Sequence, residues 1–135
     1  MSTGHGNWDS VVGRFGPDGD IEQAWVIANS THSDFVHGIA QEPVTNNTLA
    51  ICYVADDARN SSNHMVLFDS EFSHLWSKSA TSSLFRNKVT LSGVTSLSNG
   101  DFIISGKGDA VDFVTAVISR ITRAGEVIWA KSIQF

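Results

Sequence analysis

Asp18-Gly19-Asp20, the pair Asp56-Asp57 and five histidines (His5, His32, His37, His64 and His74) are the residues of this 135-residue sequence with the clearest chemical potential. Carboxylates and imidazoles ligate cations or move protons, yet the spacing supports neither role well. No two histidines stand one helical turn apart, and only His32 and His37 are close in sequence. Asp18-Gly19-Asp20 continues as Ile21-Glu22-Gln23-Ala24, which does not complete the ligand series of an EF-hand calcium loop, so a hairpin turn is expected there. Gly106-Lys107-Gly108-Asp109 lacks the Lys-Ser/Thr ending of a phosphate loop. No Gly-x-Ser-x-Gly elbow is present. Neither a catalytic residue nor a metal site is assigned, and no cofactor is expected. Trp8 lies between Asn7 and Asp9, the mixture with which a loop stacks on a sugar ring and bonds its hydroxyls. Trp8, Asp9, Asp56 and Asp57 are the candidate ligand-binding residues.

Composition narrows the partners. The formal charge of −5, from 9 Lys and Arg against 14 Asp and Glu, repels a phosphate backbone, so nucleic acid is not an expected partner. The opening MSTGHGNWDS has no basic and apolar leader, so no signal peptide is expected. No apolar run is long enough for a membrane-spanning helix. The compartment stays open. The single cysteine, Cys52, lies in the apolar run LAICYVA and is expected in the core. Three sequons, at Asn29, Asn46 and Asn60, are expected to mark polar turns.

The elements that would position these residues follow from an internal repeat. RITRAGEVIWAKS (120–132) aligns with LFDSEFSHLWSKS (67–79) and with RFGPDGDIEQAWVIA (14–28). Phe15, Phe68 and Ile121 stand 53 residues apart, as do Trp76 and Trp129. Trp25 precedes Trp76 by 51, an interval that two extra residues in DGDIEQAW, taken up by a bulge, would explain. Upstream, HGIAQEPVTNNTLAICYVA (37–55) aligns with SGVTSLSNGDFIISGKG (92–108), with Leu49 matched to Phe102 and Ile51 to Ile104. Residues 1–33 then form half a unit, 34–82 one whole unit and 83–135 a second.

In the last unit the pattern predicts four strands over 88–97, 101–107, 112–121 and 126–134. Asn99-Gly100 suggests a type I′ hairpin, and Ala124-Gly125 supplies a glycine to the next. The middle strands are apolar on both faces, so both faces are expected to be buried. Trp129 is expected to pack inward from an outer strand that keeps Lys131 near solvent. Trp25, Trp76, Trp129, Gly100 and Gly125 are the expected structural residues of the repeat, and no helix is expected.

Small antiparallel sheets covered on both faces and recurring at this period suit an all-β, β-propeller-like array of four-stranded blades, about two and a half per chain. The repeat resembles that of bacterial and archaeal β-propeller proteins with an Asp-Gly-Gly-aromatic turn, an apolar strand ending in Ala-Gly, and Gly-x-x-x-Trp. Ser98-Asn99-Gly100-Asp101-Phe102 matches the turn, Ser105-Gly106 the Ala-Gly, and Gly125 with Trp129 the last strand. The middle unit departs from it, with Asn46-Asn47-Thr48-Leu49 at the turn, Phe72 for the glycine and Tyr53 for the strand-ending glycine. The resemblance implies a scaffold and carries no catalytic residue.

An incomplete array leaves apolar faces open. The expectation is therefore a non-catalytic, self-associating scaffold: a homo-oligomer, with a two-fold dimer of five blades favoured over a trimer or an open helical assembly. The alternative is a lectin-like module that holds a glycan on loops between blades.

Overall fold

A computed structural model describes residues 9–27, 33–55, 61–80, 88–109 and 114–134, and among them there are ten strands and no helix. The strands are β1 (Ser10–Phe15), β2 (Ile21–Ile27), β3 (Ser33–Gln41), β4 (Thr48–Ala55), β5 (Ser61–Phe68), β6 (His74–Ala80), β7 (Lys88–Ser96), β8 (Phe102–Asp109), β9 (Val114–Ile121) and β10 (Val127–Gln134). They make three antiparallel sheets, β1-β2, β3-β4-β5-β6 and β7-β8-β9-β10, in which each strand pairs only with its neighbours in sequence.

The turns repeat more faithfully than the residues in them. In the hairpins at 16–20, 69–73, 97–101 and 122–126 the first N–H donates to the carbonyl of the fifth residue, and the fourth N–H donates back to the carbonyl of the first. The fourth residue has positive φ in every case: Gly19, Phe72, Gly100 and Gly125. This is a three-residue loop whose last member is left-handed, the position glycine fills without strain. Asn99 is not left-handed, so the turn at Asn99-Gly100 is not the two-residue type I′ hairpin that the dipeptide suggests. Phe72 takes the same conformation despite its side chain, with φ of 66°.

Register corrects two of the alignments. After each of the turns at 16–20, 69–73 and 122–126 the outer strand skips one residue: Glu22, Leu75 and Ile128 face no partner across the hairpin. The three hairpins therefore have equal length, and no two-residue insertion precedes Trp25. Arg14 pairs with Gln23, Leu67 with Trp76 and Arg120 with Trp129, so Gln23 occupies the place of the two later tryptophans. Trp25 stands two positions further along, opposite Val12, on the same face.

The match of Leu49 with Phe102 is one residue out. The loop between β3 and β4 is a residue longer, with Gln41 pairing Thr48 where Ser96 pairs Phe102, and Phe68 pairs Thr48 where Ile121 pairs Phe102. A slip of one residue exchanges the faces of a strand. Thus Thr48 and Ala50 correspond to Phe102 and Ile104, and Cys52, not Tyr53, corresponds to Gly106.

The middle sheet is covered on both sides. Leu49, Ile51, Met65 and Leu67 pack against Leu91, Phe102, Ile104, Val117 and Ile121 of the third sheet. From the opposite face Ala50, Cys52, Val66, Phe68 and Phe72 meet Val12 of the first. β7 lies against β3 and β4, and β1 against β3. The order is therefore a stack of first, middle and third sheets.

Phe72 sets conformational strain against burial, since its ring lies 4.8 Å from that of Phe68, nearly parallel to it. Left-handed backbone costs about 1–2 kcal/mol, while deleting a buried phenyl ring costs about 3–5 kcal/mol. Phe72→Gly is expected to lose about 1–4 kcal/mol net, seen as a lower urea midpoint at fixed protein concentration. An unchanged or higher midpoint would show that strain dominates.

Candidate interaction surface

Two devices hold one sheet to the next: a clamp found at both junctions, and a tryptophan–lysine pair that joins the middle sheet to the third. The first is a polar clamp. Asn63 on β5 is buried, its Oδ1 accepts the Leu91 N–H at 3.0 Å, and its Nδ2 donates to the Val89 carbonyl. Ser10 occupies the same place on β1, 53 residues earlier, and its Oγ accepts the Val36 N–H at 3.0 Å. Leu91 and Val36 each precede a skipped residue in the first strand of their sheets, before Gly93 and Gly38. The bulge turns a backbone donor out of the ladder, and the neighbouring sheet supplies the acceptor.

The second device is a tryptophan with a lysine two residues on. Trp76 Nε1 donates to the Arg123 carbonyl at 2.8 Å, and Lys78 Nζ donates to the Ala124 carbonyl at 2.5 Å. The ammonium sits 5.3 Å from the Trp76 ring centroid. Both side chains lie against the turn of the third sheet at Gly125, where an added Cβ would meet Lys78 Cδ at 2.9 Å and Trp76 Cη2 at 3.1 Å. Gly125 is thus required by φ and by the approach of these two chains. Between the first two sheets, Trp25 meets Phe68 edge-on at 5.2 Å and stacks on His74 at 5.6 Å.

A buried carboxylate locks the loop between β3 and β4. Glu42 is fully buried and accepts hydrogen bonds from the N–H groups of Val44, Thr45 and Asn47 and from Thr45 Oγ1. Burial pushes its pKa up, but these bonds outweigh burial and hold it below the ordinary carboxylate value. Its Oε2 and the Arg123 side chain border Gly100 of the next sheet. Asp101 is likewise held low, first by the Arg120 guanidinium at 2.6 Å and then by Asn99.

Of the residues singled out for chemistry, those that the structure describes are not gathered. Trp8, Asp56, Asp57, His5 and His32 lie outside the described residues, and Asp9 is exposed immediately before β1. His37 Nδ1 lies 3.1 Å from the Leu91 carbonyl, so it is the donor, and its ring stacks on Tyr53. His64 lies between Ser62 Oγ and Ser79 Oγ, and neither of these partners is a carboxylate that could orient the imidazole. His74 stacks on Trp25. No group of three or more His, Cys, Asp or Glu suits a metal ion among the described residues. Cys52 is buried in the core between the first two sheets.

A cleft of about 310 Å³ between the first two sheets is lined by Arg14, Gln41, Thr48, Asp69 and Ser70 among others. Arg14 is already engaged there, with Glu22 at 2.8 Å and the Ser70 carbonyl at 3.1 Å. Beside it, a more open groove is lined by Gln23, Trp25, Glu71 and His74, and the buried Gln23 Oε1 has no hydrogen-bond partner among the described residues.

The end faces of the stack are the surfaces left over. On the outer face of the first sheet Val11, Phe15, Ile21 and Val26 are 62, 62, 66 and 57% exposed. Their equivalents in the middle sheet are His64, Phe68, His74 and Ser79, of which Phe68 is fully buried. On the outer face of the third sheet, turned away from the middle sheet rather than inward as the pattern suggested, Trp129 is half-buried and Ile133 is 54% exposed. Lys131 Nζ lies 5.6 Å from the Trp129 centroid, repeating Lys78 on Trp76.

No family model and no curated protein matches the sequence. Of the residues that join the sheets, Trp76 was visible as a repeat residue. Ser10, Asn63, Glu42 and Lys78 were not singled out, although the 53-residue interval from Ser10 to Asn63 was a usable signal.

Asn63→Leu leaves the Leu91 N–H and the Val89 carbonyl without their partner and is expected to destabilise by about 2–4 kcal/mol. Asn63→Ser keeps an acceptor, as Ser10 does, and should cost less; denaturant titration separates the two. For Glu42 the folded pKa lies below the unfolded value, so its stabilisation is complete above about 4.5, the ordinary carboxylate value. That contribution is lost as pH falls through the lowered folded pKa. Glu42→Gln should flatten this acid limb of stability against pH, and an unchanged slope would remove Glu42 from the account.

Proposed function

We propose that the chain is a non-catalytic scaffold that self-associates, its sheets stacked in the manner of propeller blades. The observation that carries the reading is the exposure of Val11, Phe15, Ile21 and Val26 at one end of the stack and of Ile133, with the half-buried Trp129 on the same face, at the other. The corresponding faces inside the stack form the core. Exposed apolar patches of this kind mark association surfaces in soluble proteins. Four-stranded meanders, shared turns and face-to-face burial support the propeller-like arrangement, which closes only when further sheets complete it.

A glycan-binding reading has one observation behind it, the groove where Gln23 Oε1 lies unpartnered beside Trp25 and His74. It is the weaker one, because Phe68 and His74 already pack against the Trp25 ring.

Light scattering at micromolar concentration is expected to give a mass that is a multiple of the 14.6 kDa chain. A folded monomer across that range would overturn the scaffold reading. A glycan array on which Gln23→Ala abolishes a signal would favour the second.

A further inference from the structure

We infer that association is head to tail, with Trp129 and Lys131 of one copy docking on the β1–β2 hairpin of a second copy. The inference rests on the self-associating reading and specifies which faces meet. Its basis is that this junction already exists inside the chain. Trp76 and Lys78 reach the carbonyls of Arg123 and Ala124 in the next sheet's turn, and Trp129 and Lys131 occupy the same register one sheet on.

The first sheet offers the matching receptor. Its turn at 16–20 has the hydrogen bonds and the left-handed fourth residue of the turn at 122–126, which places Pro17 and Asp18 where Arg123 and Ala124 stand. Gly19 corresponds to Gly125. Whereas Trp76 and Lys78 lie within 3.1 Å of a Cβ built on Gly125, a Cβ on Gly19 meets nothing within 4 Å among the described residues, which leave the seat open.

Charge and polarity agree with this pairing. Asp18 and Asp20 replace Ala124 and Glu126, which adds a carboxylate beside the seat that Lys131 would occupy. Val26 and Ile21 replace the Ser79 and His74 of the middle sheet, so the receiving face is more apolar than its internal counterpart. The clamp is the informative exception. The place of Ser10 and Asn63 is taken on β9 by Ala116, and the inner part of that outer face carries Thr95, Ser105 and Lys107 together with Ile103 and Ile118. A clamp serves only a neighbour with a first strand, and the first sheet consists of β1 and β2, the counterparts of third and fourth strands. The third sheet thus keeps the device that grips a hairpin and lacks the one that grips a first strand.

A junction that joins unlike faces either closes a ring or extends a filament. A two-fold dimer joined through these end faces would instead bring Trp129 against Trp129 or β1 against β1.

The test uses complementary variants of the full chain. Trp129→Ala/Lys131→Glu removes the donor face, and Phe15→Ser/Val26→Ser removes the receptor at exposed positions. Each alone is expected to bind itself at least about 30-fold more weakly than the unaltered chain, the loss typical of an interface anchor. Mixed, they should form a one-to-one pair through the single junction left intact, and sedimentation should show it stopping there. Separately, Lys131→Glu should weaken association about 10-fold, and Asp18→Lys in the same chain should restore it. Self-association of the donor variant at unaltered strength, or failure of the charge reversal to restore it, would overturn the head-to-tail junction while leaving self-association standing. A monomeric unaltered chain would overturn both.

Discussion

Strand β4 is apolar on both of its faces, with Leu49 and Ile51 on one and Ala50 and Cys52 on the other, and all four are buried. A strand of this kind has no stable position at a surface, because either face left in water forfeits its share of hydrophobic stabilisation. The middle sheet must therefore have a sheet on each side. The rest of the architecture answers that demand: the hairpin β1-β2 covers one face, and the sheet from β7 to β10 covers the other.

Hydrophobic contact alone would let such sheets slide, since it has no direction. Direction comes from a few hydrogen bonds. Asn63 and Ser10 fasten third strands to the bulged first strands of the next sheet, and Trp76 with Lys78 fastens an outer strand to the next turn. The bulges at Gly38 and Gly93 therefore present backbone groups to a partner outside their own ladder. The fixed offset between sheets reflects both kinds of anchor, one near the inner strands and one at the outer edge.

Much of this arrangement was legible in the residues. The recurrence of Phe15, Phe68 and Ile121, followed each time by a turn, placed the hairpins correctly because a shared loop geometry fixes the distance from anchor to outer strand. Faces were harder. The loop held by Glu42 is one residue longer than the loop at 97–101, and with a side-chain period of two that residue inverted the match of Leu49 with Phe102. Trp25 misled for a related reason: the chemically similar residue lies two places beyond its structural counterpart, Gln23. Glu42 beside Pro43 has the composition of a surface turn, and its burial follows from the approach of the next sheet, which no local pattern records. Phe72 hid a turn identical to its relatives behind a residue type that rarely adopts the required backbone.

Because each strand pairs only with its immediate neighbour in the chain, the contacts within every sheet are short in sequence. Such connectivity lowers the loop-closure entropy that must be met before pairing begins. Hairpins can nucleate independently on their own turns, those at 16–20, 69–73, 97–101 and 122–126 each closing a three-residue loop, and can grow outward without waiting for distant segments. The long-range step is the docking of finished sheets, where a hydrogen-bonded amide on β5 has to find one bulge on β7. In kinetic terms, the meander makes the sheets cheap to form and leaves the order between them as the slow variable.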